Sequence, residues 1–202
     1  MSAKAIVYID GENFLHRVED TLKAQQQIRR KEEIVRLGVR PMIEALLPEY
    51  SDIEIRYYGT KIRTYDIADE AVKERARTMV ESQRRLKRCL ENQRISFVTA
   101  GSLRVRETTC SNCNETSLVF KEKGVDVRCA IDLVEDANEH TTQVILSSDS
   151  DILPALRVAH TKGSRLIYVH HAEQPNYAMM KSAHETRVFT PSQILTAYTE
   201  GE

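Results

Sequence analysis

The chain has 202 residues, of which 41% are hydrophobic, so it is long enough for one well-buried domain and short for two. The 29 basic and 30 acidic side chains nearly cancel, which excludes a global electrostatic attraction to nucleic acid or anionic lipid. No apolar run approaches the roughly 20 residues that a membrane-spanning helix needs, and we expect a cytoplasmic protein.

The first half of the chain alternates short β-rich runs with longer helical patterns. Proline ends the first helical region, because it cannot continue a helix. The predicted elements, in order, are a strand at 5–9, a turn at 10–13, helical sequence that resumes after the polar stretch 25–31 and runs to Leu47, a strand at 53–58 and a long amphipathic helix at 66–92.

The second half continues this alternation after a hairpin that carries a Cys-Ser-Asn-Cys-Asn turn. The predicted elements are a strand at 95–99, hairpin arms around 103–105 and 118–120, a helix at 125–138, a strand at 143–147, a helix at 152–161, a strand at 166–170 and a closing helix at 191–198. Such repeated strand-helix units predict an α/β fold with a mostly parallel sheet covered by helices on both faces.

Acidic residues follow two of the predicted strands directly. Asp10 comes after the first strand, and Asp149 and Asp151 follow the strand at 143–147. Because ligands of open parallel sheets bind beyond the carboxyl ends of the strands, these side chains are expected on one rim. Asp126, at the start of a helix, can project toward the same rim, whereas Asp132 lies about 240° further around that helix and should point elsewhere.

Several carboxylates at one site repel each other unless a cation neutralises them. Oxygen ligands with water in the remaining positions suit Mg²⁺ or Mn²⁺ better than Zn²⁺, and such ions can activate a water for attack on a phosphodiester. The alternative interpretation is that Asp10, Asp149 and Asp151 are helix caps, a common role of Asp at strand-to-helix turns. The convergence of three acidic clusters favours the metal site.

At these motifs the sequence resembles the NYN family, the LabA-like branch of the PIN-like nucleases. The resemblance is carried by Val7-Tyr8-Ile9-Asp10-Gly11-Glu12-Asn13, by Lys123-Gly124-Val125-Asp126-Val127, and by Leu146-Ser147-Ser148-Asp149-Ser150-Asp151. It spans residues 5 to about 169 and implies a PIN-like three-layer α/β/α sandwich. We expect one such domain over residues 1–202, in which the predicted cysteine-bearing hairpin at about 101–122 is an insertion that matches no part of the family pattern. Ser148 stands where many relatives have Gly.

The resemblance also implies an activity. By motif position, Asp10, Asp126, Asp149 and Asp151 would bind Mg²⁺ or Mn²⁺, and Asn13 would orient the site or contact phosphate. The implied function is a metal-dependent endoribonuclease whose partner is RNA, with DNA not excluded. A homodimer is a hypothesis that rests only on what is common in this fold class.

Two other functions remain open. A phosphatase of the haloacid dehalogenase type also places acids after parallel strands, and Asp10-Gly11-Glu12 fits its first motif loosely. A non-catalytic nucleic-acid-binding or regulatory module on the same fold is the second, because a fold does not determine function. The complete set of four acids favours the nuclease.

Three further features of the sequence give weaker indications of function. Cys110 and Cys113 form half of a zinc-binding motif, but the second pair is missing and Cys129 is expected in the core. Basic residues on the helix at 66–92 could bind phosphates, yet interleaved glutamates favour a solvated helix face. The six histidines show no spacing typical of a helical metal site, and no role is assigned to them.

Overall fold

The computed structural model describes residues 4–62, 69–109 and 116–201. In this part of the chain the strands are β1 (Lys4–Asp10), β2 (Asp52–Thr60), β3 (Ser96–Ala100), β4 (Ser102–Thr109), β5 (Thr116–Lys123), β6 (Thr141–Leu146), β7 (Arg165–His171) and β8 (Glu185–Phe189). The α-helices are α1 (Gly11–Ala24), α2 (Val39–Leu46), α3 (Glu70–Asn92), α4 (Val125–Glu135), α5 (Leu153–Thr161), α6 (Tyr177–Ser182) and α7 (Pro191–Thr199). Short 3-10 turns lie at Lys31–Arg36 and Ser150–Ile152.

Six parallel strands form the central sheet, in the spatial order β3-β2-β1-β6-β7-β8. From β1 the chain proceeds outward through β2 to β3, and then returns to the other side of β1 to place β6. The strand order therefore reverses between β1 and β6. In open parallel sheets this reversal opens a crevice at the carboxyl ends of the two strands.

The sheet is covered on both faces because successive side chains of a strand point in opposite directions. In β1, Val7 and Ile9 pack into a core with α1, α2 and α7, whereas Ile6 and Tyr8 pack into a second core with α4 and α5. All four side chains are buried. The result is a three-layer α/β/α sandwich, as the sequence predicted.

Strands β4 and β5 form a separate antiparallel pair between β3 and α4. The two arms of the predicted hairpin pair in antiparallel register, with Val105 opposite Phe120. Cys110 and Cys113 lie outside the described residues, so the zinc-binding hypothesis stays a prediction. Cys129 is buried in the core, as expected.

The structure differs from the predicted elements in several places. Helix α1 begins at Gly11, inside the predicted turn at 10–13, because the Asp10 side chain caps the helix at once. The helical region predicted to run to Leu47 consists of the 3-10 turn at Lys31–Arg36 and the separate helix α2. Helix α4 ends at Glu135, earlier than predicted. Helix α6 and strand β8 were not predicted; β8 is an edge strand with mixed polar composition, which weakens its hydrophobic pattern. No helix in the described ranges is both long and apolar enough to cross a membrane.

Candidate functional site

Asp10 lies at the junction of β1 and α1, where it caps the helix through its side chain. Its Oδ1 accepts a hydrogen bond from the backbone N–H of Asn13 at 3.3 Å. Its Oδ2 accepts from the Asn13 side-chain amide at 2.5 Å and from the Ser147 hydroxyl at 3.0 Å. The capping interpretation is therefore correct for Asp10, and the same bonds set the orientation of its carboxylate toward the crevice.

Gly11 is required at this junction by close packing. A Cβ on Gly11 would lie 2.4 Å from the backbone oxygen of Tyr58 and 2.5 Å from the Tyr57 ring. The Tyr57 hydroxyl also donates to the Gly11 carbonyl at 2.9 Å. The start of α1 is thus pressed against β2, which holds Asp10 in place at the end of β1.

Two serines after β6 extend this hydrogen-bonded unit across the crevice. Ser147 donates to Asp10 and accepts from the backbone N–H of Asp149 at 3.1 Å. Ser148 donates to the Asn13 side-chain oxygen at 2.7 Å. No role was predicted for these serines from the sequence. Their position directly after a buried strand, at the same rim as Asp10, was the signal that could have identified them.

Asp149 and Asp151 occupy different environments, although one residue separates them. The Oδ1 of Asp149 accepts from the backbone N–H of Asp151 at 2.9 Å and so caps the 3-10 turn at Ser150–Ile152. Asp149 is half-buried, whereas Asp151 is exposed. One oxygen of Asp149 remains without a hydrogen-bond donor among the described residues.

Asp126 lies in the first turn of α4, just after Gly124, whose backbone has φ +86 and precedes the helix. Within the described ranges its carboxylate takes part in no hydrogen bond or ion pair. A carboxylate in the first turn is favoured by the partial positive charge of the helix N-terminus. Asp126 is therefore available to a cation from the crevice.

A single pocket brings three of the four predicted acids together. Asp10, Asp126 and Asp149 line it, with Tyr58, Val125, Cys129, Ser147 and Ile152. Asp151 does not line this pocket. Among the described residues, no three His, Cys, Asp or Glu side chains are grouped closely enough to hold one metal ion as they stand.

The negative charge of nearby carboxylates affects Cys129, which also lines the pocket. Burial, and then the negative charges of Asp10, Asp132 and Asp126, raise the pKa of the Cys129 thiol far above its usual value. The sulfur therefore stays protonated at neutral pH and is a poor metal ligand, because thiolates are the ligating form. The pocket offers oxygen ligands in a negative potential.

Asp132 is turned away from Asp126, as the helical spacing predicted. Its buried carboxylate accepts from the Tyr58 hydroxyl at 2.8 Å and from Arg128 at 2.8 Å. Its charge is thus neutralised by Arg128, and its role is to fix the Tyr58 ring, which lines the acidic pocket.

A groove larger than the acidic pocket lies on the other side of the α1 N-terminus from that pocket. The groove has a volume of about 480 Å³ and runs between α3, the start of α1, strands β2 and β3, and the hairpin. Its lining includes the rings of Tyr57, Phe97 and Phe120, with Tyr57 and Phe97 stacked at 5.5 Å. We call this the aromatic groove. Glu12 lines it, two residues after Asp10.

Cations lie over two of these rings. The Arg75 guanidinium is 5.4 Å from the centre of the Phe120 ring, and the Lys87 ammonium is 6.0 Å from that of Phe97. By contrast, Lys73 and Arg77 on the same helix pair with glutamates three residues away. The predicted solvated face is thus present on α3, but the side that carries Met79 and Leu86 borders the aromatic groove.

Comparison with known proteins gives one family and a few structural neighbours. The chain matches the NYN domain family over residues 4–190. A crystal structure of a protein of unknown function from Vibrio parahaemolyticus is similar at 11% identity, with a TM-score of 0.55 and 93% of both chains covered. A phosphofructokinase-2 mutant from Escherichia coli aligns at 13% identity with a TM-score of 0.38, over 84% of this chain and 56% of that one, which is too low to support an argument. No curated protein matches the chain.

Proposed function

The chain belongs to the NYN domain family, and from this premise we propose that it is a metal-dependent endoribonuclease. The family indicates a nuclease-type function. The finer proposal is that Asp10, Asp126, Asp149 and Asp151 bind Mg²⁺ or Mn²⁺ at the crevice between β1 and β6, and that RNA is the substrate.

One observation carries the proposal: Asp10, Asp126 and Asp149 come from three separate parts of the chain and line a single pocket at the strand reversal. Helix capping explains the positions of Asp10 and Asp149 one at a time. It does not explain Asp126, which caps nothing and forms no hydrogen bond or ion pair with a described residue. A shared cation accounts for all three, because like charges in one pocket repel unless a cation is bound.

The donor set fits a hard divalent ion. Asp10, Asp126 and Asp149 offer oxygens, and the only sulfur in the pocket lining is the protonated thiol of Cys129. Since no three acids are close enough to enclose an ion by themselves, waters would complete the coordination, as is usual for Mg²⁺. When bound, such an ion would polarise a phosphate oxygen and lower the pKa of a water. Asp151, exposed at the pocket rim, would act through a water or after a small movement of the 3-10 turn.

Asn13 and Ser148 are positioning residues in this proposal. The Asn13 amide orients the Asp10 carboxylate, and Ser148 holds the Asn13 oxygen. This arrangement leaves Asp10 in one conformation before the substrate arrives, which reduces the reorganisation needed for reaction. The Asn176 side chain in turn donates to the Ser148 carbonyl at 2.9 Å and supports the loop after β6.

The aromatic groove supports a polymeric substrate. It begins at Gly11 and Glu12, next to Asp10, and its lining includes the Phe97 and Phe120 rings and Lys121. Aromatic rings can stack unpaired bases, and cations can contact phosphates. A phosphatase of the haloacid dehalogenase type would need its second acid beside the first. Glu12 lines the aromatic groove whereas Asp10 lines the acidic pocket, which favours the nuclease over the phosphatase.

The test is cleavage of labelled single-stranded RNA and DNA with Mn²⁺, Mg²⁺ or EDTA, comparing the native protein with Asp149→Asn. Asn can keep the cap on the 3-10 turn, so the variant should fold normally while losing one charge of the pocket. RNA cleavage that requires the metal and falls by at least about 100-fold in the variant is expected, in line with the loss of an electrostatic group from an active site.

A matched control is Asp69→Asn. Asp69 caps α3 by accepting from the backbone N–H of Val72 at 2.9 Å, the same type of bond, but it lies outside the acidic pocket. It should retain full activity. If the native protein cleaves neither RNA nor DNA with either metal, the proposal is wrong, and binding without cleavage would indicate a non-catalytic module.

A further inference from the structure

A second pocket adjoins the acidic one on the side of β7. It is lined by Asn13, Arg17, Ser147, Ser148 and His170, among others, and has a volume of about 30 Å³. Ser147 lines both pockets, so they meet at this residue. We call it the His170 pocket. Arg17 and His170 have no role in the proposed metal site.

His170 presents an unused hydrogen-bond acceptor in this pocket. The residue is more than nine-tenths buried, and its ring stacks on Tyr168 at 5.4 Å. Its Nδ1 lies 2.7 Å from the backbone carbonyl of His171. A carbonyl can only accept, so Nδ1 carries a proton, and in the tautomer protonated at Nδ1 the Nε2 atom has a lone pair. That Nε2 is buried without a hydrogen-bond partner in the described structure.

Arg17 supplies an unused donor to the same pocket. It lies one turn after Asn13 on α1, and its guanidinium contacts Asp20 only through a long 3.4 Å bond. The Nε–H of Arg17 is buried and has no acceptor within the described part of the chain. A buried polar group without a partner costs roughly 1–3 kcal/mol, which indicates that these two atoms serve a bound group.

The pocket selects a group that both donates and accepts. Its volume accommodates one or two atoms of water size, since about 10–15 Å³ are needed for each. A phosphodiester offers oxygen acceptors but no donor to the lone pair of Nε2. A hydroxyl has both functions, because it can donate its proton to Nε2 and accept the Nε–H of Arg17.

We propose that the His170 pocket binds a ribose 2′-hydroxyl of the nucleotide next to the acidic pocket, and that it makes the protein select RNA over DNA. This inference rests on the proposed nuclease function. The 2′-hydroxyl is the group that distinguishes RNA from DNA at a given position. His170 and Arg17 are specificity-determining residues in this proposal and take no part in the bond cleavage.

The experiment measures binding, so that it does not depend on cleavage. Asp149→Asn serves as the background, and fluorescence anisotropy compares a labelled single-stranded RNA, DNA of the same sequence, and RNAs with one 2′-deoxy substitution walked along the strand. We expect one position at which loss of the hydroxyl weakens binding by about 5- to 10-fold, the worth of one net hydrogen bond. This effect should disappear in His170→Phe, which keeps the stacked ring and removes Nε2.

Two further variants make the result decisive. Arg17→Met should remove the same positional effect, and it tests the proposal if His170→Phe fails to fold. His140→Phe is the matched control, because His140 is exposed and lies outside the pocket; it should keep the effect. If the RNA is cleaved with metal but no position is sensitive to loss of the 2′-hydroxyl, this inference is wrong and the nuclease proposal stands. The same conclusion follows if one position is equally sensitive in His170→Phe and in Arg17→Met. Absence of binding and cleavage by the native protein overturns both.

Discussion

The Ser147 hydroxyl donates a hydrogen bond of 3.0 Å to the Oδ2 of Asp10. This bond joins the ends of β6 and β1, which are adjacent because Leu146 pairs with Ile9 in the parallel register. Ser147 also accepts from the backbone of Asp149. One hydroxyl therefore connects two of the proposed metal ligands.

Replacing Ser147 with Ala should reduce RNA cleavage by about fivefold, because Asp10 loses one of the bonds that orient it, a loss of roughly 1 kcal/mol. The measurement is kcat under saturating metal, with circular dichroism to check the fold. Ser150→Ala is the control, since Ser150 is exposed in the same motif and should be silent. Equal activity of Ser147→Ala and the native protein would contradict a positioning role.

Gly11→Ala should destabilise the protein by about 2–3 kcal/mol, the usual cost of overpacking. The new methyl would meet the backbone of Tyr58, which cannot move without displacing β2. Urea denaturation measures the loss, and RNA cleavage should fall with it because Asp10 shifts. Gly38→Ala is the comparison: its nearest contact would be 3.2 Å, from the Ala197 carbonyl, and a smaller loss is expected. Equal losses for the two variants would argue against tight packing at Gly11.

Asp136 belongs to a polar network that includes side chains of β1 and β2. It accepts from the buried Tyr8 hydroxyl at 2.8 Å and from Arg56 at 2.5 Å. Asp136→Ala should lower the free energy of unfolding by about 2–4 kcal/mol, because it leaves the buried Tyr8 hydroxyl without its acceptor and Arg56 with Glu54 as its remaining carboxylate. Chemical denaturation provides the measurement. Glu139→Ala, on the exposed surface nearby, should change stability by less than about 0.5 kcal/mol.

Phe120→Ala should weaken binding of single-stranded RNA by roughly tenfold, since a stacked base contributes about 1–3 kcal/mol. Val119→Ala is the matched control, because the neighbouring side chain points to the other face of β5 and is exposed. Arg84→Glu tests the solvated face of α3 and should leave affinity unchanged, as Arg84 does not line the aromatic groove. A loss for Arg84→Glu without one for Phe120→Ala would move the RNA path onto that face.

The stability of the protein should depend on pH in the acid range, because Arg187 forms ion pairs with Glu49 and Glu185. Hydrogen bonding to Arg187 lowers the pKa of Glu49, and hydrogen bonding to Arg165 and then to Arg187 lowers that of Glu185, both from an ordinary value of 4.5. Their stabilising contribution is therefore complete above about pH 4.5 and is lost as the pH falls through the lower folded pKa values.

Thermal unfolding measured at several pH values should show this loss of stability. Arg187→Met should be less stable than the native protein at neutral pH, and the gap should narrow as the pH falls below about 4.5. Arg157→Met, at an exposed residue of α5, should follow the native curve. A gap that stays constant down to pH 3 would show that Arg187 stabilises the fold by packing alone.

The sequence by itself determined the fold class and three of the acids in the pocket. Alternating strand and helix patterns require a parallel sheet, and the carboxyl ends of parallel strands share one edge, so Asp10 and Asp149 had to lie on the same rim. The helical spacing also separated Asp126 from Asp132 correctly. These inferences are local, because each depends only on periodicity and on where a strand ends.

Only the tertiary structure decided which distant groups meet. The bond from Ser147 to Asp10 depends on the register of β6 against β1, and the aromatic groove requires α3, β3 and the hairpin to converge. The proton position on His170 follows from a backbone carbonyl that no side-chain pattern encodes. Asp151 shows the same limit, since its spacing from Asp149 suggested one site whereas the 3-10 turn exposes it. Periodicity specifies the face and the edge of each element, whereas contacts between elements depend on the packing of the whole chain.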